Sequence, residues 1–382
     1  MRELRQIIEQ EIRERGPIPF SRYMELCLYH PELGYYSRNA AQFGKAGDFY
    51  TSSDIHAVFG RLLARQFDEM WRMLGSPERI AVEELGPGRG LFAQDVLDWS
   101  EKKFPEFFAA LQYRLVEQSP SLLERIAQTL SRHLQSGKAA FASPKSPLPA
   151  NSAGSGAPET YATIVFANEF FDALPVEIVS TKGSLRIDAR DGRFLESWVA
   201  SSPEELEFLD RYSIHPEEGE RVEVPLQGQT QISGVMDFER GFVLVIDYGY
   251  TREEQLAGRH RGTLKAIRQH SVSANPYEAP GEQDITSDVN FTALAAAAER
   301  RGMRTEKLVT QSQFLMGIGE INEFADAFED CRLPQERAKV ALQLKHLVTP
   351  AGMGESFHVL VVSKGIDAEK ASKLAGLNFG RR

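Results

Sequence analysis

The chain has 382 residues, with 44 Lys and Arg against 54 Asp and Glu, a net charge of −10; this acidic balance speaks against a broad phosphate-binding surface, which needs clustered cations. With 42% hydrophobic and 26% charged residues it lies outside the compositional range of disorder and is long enough to bury large cores without metal or disulfide staples. Cys27 and Cys331 have neither disulfide-framework nor zinc-ligand spacing, no apolar run reaches the ~18 residues of a membrane span, and the start MRELRQIIEQEIRERG has neither a secretory nor a transit pattern, so a bacterial cytoplasmic location, no nucleic-acid partner and no metal are expected.

In chain order, Leu4, Ile7, Ile8 and Ile12 share one helical face, and Gly16-Pro17 stops that helix. Ser21 can cap a second one. The stretch Gly47-Asp48-Phe49-Tyr50-Thr51-Ser52-Ser53-Asp54 is either a lid over a ligand or an ordinary helix start capped by Ser53. From Ser53 to Leu74 the apolar residues Val58, Leu62, Leu63, Phe67, Met70 and Trp71 recur at spacings of three and four, which predicts an amphipathic helix closed by Gly75.

Beyond residue 78 the pattern becomes short apolar strands separated by helices. Strands are predicted at Ile80 to Glu84, Tyr113 to Glu117, Tyr161 to Ala167, Gly241 to Ile246, Met303 to Thr310 and Ser356 to Ser363, with helices at Leu91 to Trp99 and Ser121 to His133. Such alternation specifies an α/β fold with a doubly wound, mostly parallel sheet. The Pro-, Ser- and Gly-rich run from Ser143 to Glu159 reads as a surface loop. Pro175 to Met236, rich in Val, Ile and Thr with turns at Lys182-Gly183 and Asp191-Gly192, reads as an inserted β-hairpin unit. The expected organisation is a helical cap or lid (1–78), a first part of the core (79–174), the β-rich insertion (175–240), a second part of the core (241–310), a helical insertion (311–350) and a final strand with tail (351–382).

The chemistry concentrates after the first predicted core strand, in Glu84-Leu85-Gly86-Pro87-Gly88-Arg89-Gly90. Glycines at 86, 88 and 90 permit a tight turn and a close approach of ligand to backbone, and the helix that follows offers free N–H groups; a purely structural turn is the alternative. The dinucleotide fingerprint would need Gly at 91, where Leu91 stands, which disfavours a nicotinamide or flavin oxidoreductase, and no phosphate-loop GxxxxGK[ST] occurs. Glu117, ending the next strand beside Gln118, is either a solvated acid or a ligand for both hydroxyls of a ribose. A ribose-bearing cofactor with a cationic head and no pyrophosphate is S-adenosylmethionine.

After the third core strand comes Asn168-Glu169-Phe170-Phe171-Asp172-Ala173-Leu174-Pro175. Ligands of open α/β sheets sit beyond the carboxyl ends of the strands, so these polar side chains can face a reactive centre. Equally, Asn168 can cap a helix with Glu169 and Asp172 in its first turn. His260 and His270 have no metal-ligand spacing, and no G-x-S-x-G elbow is present.

Taken together with Gly16-Pro17-Ile18-Pro19-Phe20, His30-Pro31-Glu32-Leu33-Gly34-Tyr35-Tyr36, Asp247-Tyr248-Gly249 and Asp284-Ile285-Thr286-Ser287-Asp288-Val289, these blocks resemble the MidA-type S-adenosylmethionine-dependent methyltransferases, the family of the mitochondrial complex I assembly arginine methyltransferase. The resemblance implies a class I methyltransferase, Rossmann-like, seven-stranded sheet with a helical N-terminal cap and inserted β-hairpin and helical segments. It implies Gly86, Gly88 and Gly90 at the methionine part of the cofactor, Glu117 at the ribose, and Asn168, Glu169 and Asp172 near the transferred methyl as catalytic residues. Asp48, Thr51, Glu84 and Gln118 complete the expected cofactor contacts. The implied reaction is methylation of an arginine on a basic protein partner, by analogy a complex I core subunit or bacterial counterpart, with S-adenosylhomocysteine as product and a homodimer left open. The alternative is an assembly factor that binds S-adenosylmethionine without transferring its methyl.

Overall fold

The computed structural model describes residues 2–38, 57–142, 162–268, 271–273 and 275–380. The stretch from Gly47 to Asp54, with Asp48 and Thr51, the loop from Ser143 to Glu159 and His270 lie outside the described residues.

Seven strands form the path of the main sheet: β1 (Ile80–Leu85), β2 (Leu111–Val116), β3 (Ala139–Phe141), β4 (Ala162–Asn168), β5 (Gly241–Tyr250), β6 (Arg304–Thr310) and β7 (Phe357–Lys364). Their spatial order is β6-β7-β5-β4-β1-β2-β3, and the short strand Val289–Asn290 adds in parallel to the end of β5. β3, β2, β1, β4 and β5 run parallel, whereas β7 is antiparallel to both β5 and β6. The strand order reverses between β1 and β4, which start from the middle of the sheet and lead outward in opposite directions; such a switch point opens a crevice at the carboxyl ends of the strands.

Side-chain alternation supplies a core on each face. On one face Ile164, Phe166, Leu244 and Ile246 pack with Leu62, Leu63 and Phe67 of the helix Ala57–Met73 and with Phe92 and Val96 of the helix Leu91–Lys103. Phe92 stacks on Phe166 with ring centroids 4.5 Å apart, a contact worth about 0.5–1.5 kcal/mol beyond burial. On the other face Val165, Ala167, Val243 and Val245 pack with Leu294, Ala297 and Ala298 of the helix Phe291–Arg300.

A third core joins two parts of the chain that are far apart in sequence. Leu4, Ile8 and Ile12 of the helix Arg2–Arg15 and Phe20, Tyr23 and Met24 of the helix Phe20–Tyr29 bury against Val176, Ile178, Leu185 and Ile187 of the insertion and against Ile285. The seam is also a sheet: Ile18 and Pro19 pair antiparallel with Ile187 and Arg186. The insertion itself holds four strands, Glu177–Ser180, Gly183–Arg190, Arg193–Val199 and Val222–Val224, and so is larger than the expected hairpin unit. The turn Asp191-Gly192 has φ of +53° and +72°, the left-handed pair that a two-residue hairpin turn requires.

Several boundaries shift from the sequence expectation. Ser21 lies inside its helix, after Pro19 at the cap position, and its hydroxyl donates to Glu177 Oε1 at 2.5 Å instead of capping. The helix expected from Ser121 to His133 is two, Pro120–Thr129 and Ser131–Gln135. β5 runs four residues past Ile246 because β7 pairs with it as far as Tyr248, beyond the end of its pairing with β4, and Val289–Asn290 pairs with Gly249 and Tyr250.

Candidate active site

The glycine turn follows β1. Gly86, Gly88 and Gly90 all have positive φ, +63°, +55° and +77°, a region that costs other residues roughly 1–2 kcal/mol. The Gly90 amide closes the turn on Pro87 O at 2.8 Å, and the Gly86 amide donates to Val116 O at the end of β2 at 3.0 Å. A Cβ on Gly86 would stand 2.8 Å from Phe170 Cδ2, so this turn and the segment after β4 are in contact; a Cβ on Gly88 would meet nothing within 4 Å. The open side of Gly88 and the start of the helix Leu91–Lys103 together make a concave backbone cradle, the kind of surface a small polar ligand can approach closely.

Glu117 follows the last residue of β2 and is partly exposed. Its Oε1 accepts the amides of Gln118 at 2.7 Å and Ser119 at 2.8 Å, which fixes the carboxylate, while Oε2 takes no bond among the described residues. Burial raises its carboxyl above the usual range and the Ser119 and Gln118 amides pull it back. Gln118 contributes its backbone and leaves its side chain exposed. Glu84 is 4% exposed. It accepts the Tyr113 hydroxyl on Oε2 at 2.9 Å, and burial pushes its carboxyl up to about 8, the phenol bond lowering it in part.

The segment after β4 is not a helix, so Asn168 caps nothing. Asn168 ends the strand and donates from Nδ2 to Glu169 Oε1 at 3.2 Å, and Glu169 takes φ of +50°. The following backbone turns sharply over the end of the sheet, and each of its amides goes to β5. The Glu169 amide donates to Ile246 O at 2.9 Å. The amides of Phe170, Phe171 and Asp172 donate to one oxygen, Asp247 Oδ2, at 3.2, 3.0 and 3.3 Å. Asp172 O accepts the Ser287 amide at 3.0 Å.

Three acids thereby cluster at this end of the cleft. Asp247 is fully buried and its carboxyl is held well above the ordinary value by burial and by the neighbouring Asp172 and Glu169, with the amides opposing. Asp172 is 3% exposed; its Oδ2 accepts the Tyr248 hydroxyl at 2.5 Å, and its buried Oδ1 has no hydrogen-bond partner among the described residues. Burial pushes Asp172 up to about 6, and the Tyr248 bond lowers it. Among the described residues no Lys or Arg pairs with Asp172 or Asp247. A buried acceptor oxygen with nothing to accept from is costly, and two buried acids with no counter-cation among the described residues favour a positively charged ligand.

The N-terminal cap forms the other wall. The Tyr29 hydroxyl donates to Ala173 O at 2.9 Å, the Tyr36 hydroxyl to Asp284 Oδ1 at 3.0 Å, and Ser121 Oγ to Ser37 O at 3.2 Å. The rings of Tyr29 and Tyr36 lie 5.5 Å apart. Residues 29–37 therefore bridge from the Glu117 side to the Asp172 side. Asp247, Tyr248, Tyr29 and Tyr36 were not among the site residues read from the sequence. For Asp247 and Tyr248 the available signal was an acid and a phenol at the carboxyl end of a predicted core strand. Among the described residues no group of three His, Cys, Asp or Glu is placed to hold a metal, and no helix is long and apolar enough to cross a membrane.

Comparison with known proteins agrees with this architecture. Residues 62–309 match the sequence model of a family described as S-adenosyl-L-methionine-dependent methyltransferase. The protein arginine methyltransferase NDUFAF7 homolog, mitochondrial, of Drosophila melanogaster is 30% identical over 97% of this chain and 87% of its own length. Protein arginine methyltransferase NDUFAF7, mitochondrial, of Homo sapiens is 29% identical over 91% and 80%. A crystal structure from Burkholderia thailandensis, bound to S-adenosyl-homocysteine, superposes with a TM-score of 0.80 at 28% identity, covering 97% of this chain and 95% of that one. The chain belongs to the S-adenosyl-L-methionine-dependent methyltransferase family.

Proposed function

We propose that this methyltransferase acts on an arginine side chain of a protein partner, with the acid end of the cleft receiving the guanidinium. The observation that carries the reading is Asp172 Oδ1, a buried acceptor with no donor among the described residues, beside Asp247, with no Lys or Arg among those residues pairing either of the two. A guanidinium is planar and offers five N–H donors, a form suited to carboxylates presented side by side. The relatives named as protein arginine methyltransferases support the same acceptor, and the family resemblance extends it to a complex I core subunit or its bacterial counterpart.

The cradle fits S-adenosylmethionine by its shape and donor set. Gly86, Gly88 and Gly90 let the methionine part lie against backbone, and Glu117, held by two amides with no bond to Oε2 among the described residues, suits the two hydroxyls of a ribose. Glu84 stands behind the turn as a further acid, and Asp48 and Thr51 are assigned to the same contact from the sequence. When bound, S-adenosylmethionine supplies a methyl group on a positively charged sulfur. This chain's part is to place the acceptor nitrogen and take its proton. An arginine has a pKa above about 12, so its nitrogen must be oriented by carboxylates and relieved of a proton as it reacts; the reading assigns both roles to Asp172 and Glu169, with Asn168 bonded to Glu169. Catalysis of this kind rests on positioning and electrostatics.

The test is incubation of the purified chain with methyl-labelled S-adenosylmethionine and lysate from cells lacking it, followed by hydrolysis and methyl-amino-acid analysis. Labelled methylarginine in a discrete protein is expected. Cofactor binding without any labelled band would favour the non-catalytic assembly factor instead.

A further inference from the structure

We propose that Asp247 is the positioning residue of the acceptor end, clamping the turn Glu169–Asp172 by its amides so that Asp172 presents Oδ1 to the acceptor nitrogen. The inference rests on the acceptor reading above but is carried by its own geometry. Among the described residues the Asp247 carboxylate bonds only backbone amides: three successive ones on Oδ2 and that of Tyr248 on Oδ1 at 2.9 Å. The clamp sits at zero exposure, where water cannot substitute for a lost bond.

The residue type follows from that count. Both oxygens of Asp247 face N–H groups, so only a carboxylate satisfies every donor. In an asparagine the amide nitrogen must oppose either the three turn amides or that of Tyr248. The clamp also accounts for the backbone of Glu169. With its own amide fixed to Ile246 O and the next three converging on one atom, the chain is driven into the left-handed region at φ +50° without a glycine, a conformation that persists only where its surroundings over-determine it. Finally, Asp247 and Tyr248 are consecutive on β5, and one holds the backbone of Asp172 while the other holds its side chain.

The experiment compares the wild-type chain with Asp247→Asn and Asp247→Ala. Amide hydrogen exchange is expected to show Phe170, Phe171 and Asp172 protected in the wild type, about 10-fold less protected in Asp247→Asn and less again in Asp247→Ala, with Val165 and Leu244 in the paired strands unchanged. With the acceptor found by labelling, kcat is expected to fall about 10-fold in Asp247→Asn and about 100-fold in Asp247→Ala, while the Kd for S-adenosylhomocysteine and the acceptor KM stay within about 3-fold. Asp247→Ala recovered unfolded leaves the decision to the isosteric Asp247→Asn. Unprotected turn amides in the wild type, or an unchanged kcat in Asp247→Asn, overturn the assignment, as does loss of cofactor binding and thermal stability in parallel with kcat. Label appearing on lysine or glutamine instead of arginine overturns the arginine reading alone and leaves the clamp standing, since neither arm depends on the acceptor's identity.

Discussion

Tyr113 donates its hydroxyl to Glu84 Oε2 at 2.9 Å, joining the two strands on either side of the switch from glycine turn to ribose acid within the buried face of the sheet. The bond reaches a carboxyl that is 4% exposed, and it does not offset the desolvation that raises Glu84 from 4.5 to about 8. Between those values the unfolded chain has lost the proton that the folded chain keeps, so Glu84 contributes stability that is complete below pH 4.5 and is lost as pH rises through about 8. Thermal melts should therefore show the Tm of Glu84→Gln gaining on the wild type by a few degrees across that window and levelling above it. A difference that stays constant with pH would contradict the buried neutral acid.

Gly88→Val separates backbone freedom from crowding. The new Cβ would meet nothing within 4 Å, so the substitution acts through φ of +55° and through the space it takes from the cradle. Stability is expected to fall by about 1–2 kcal/mol, and binding of S-adenosylmethionine measured by calorimetry to fall at least about 100-fold. Normal affinity would remove the cradle assignment.

Tyr248→Phe takes from Asp172 the bond that favours its ionised form. The carboxyl of Asp172, already near 6, is then expected to rise, moving the acid limb of the kcat/KM profile to higher pH and lowering the rate at pH 7 by about 10-fold. The measurement is a pH–rate series on both proteins, and an acid limb that moves down would overturn the sign.

Glu169→Gln keeps the size and the turn but removes a charge from the acceptor end. Cofactor affinity is expected to be unchanged and methyl transfer to drop by about 100-fold, read by calorimetry and label incorporation on the same preparation. Full turnover in this variant would take Glu169 out of the chemistry.

Ile187→Ala probes the core shared by the cap and the insertion. Ile187 is fully buried and pairs with Ile18, so its truncation is expected to cost about 2–4 kcal/mol and to speed amide exchange in the helix Arg2–Arg15 more than in β1 or β4.

What the sequence showed directly was whatever depends on local period and local turn chemistry. Short apolar runs located β1, β4 and β7 to within about one residue, and the Gly86–Gly90 turn was legible because its positive φ values favour glycine. Asn168 was ambiguous for a physical reason: an Asn followed by acids at one and four positions is a good helix start, and the competing outcome is decided by Asp247, 79 residues later, drawing the amides away. Tyr29 gave no signal, and Tyr36 stood only within a block of the family resemblance, because their partners, Ala173 and Asp284, are fixed only when the N-terminal helices fold over the sheet. For the same reason the cap and the insertion read as separate units, although their apolar residues fill one core.

That shared core also sets the order in which the protein can be completed in a cell. The helix Arg2–Arg15 leaves the ribosome well before the insertion, yet the residues that cover Leu4, Ile8 and Ile12 extend to Ile285, and Arg5 reaches the carbonyl of Tyr277. At about 5–20 residues per second, the apolar stripe of the nascent chain waits on the order of tens of seconds for its cover. A translating polypeptide with such a stripe needs a holding chaperone over that interval, and fragments ending before the insertion should emerge as clients of one.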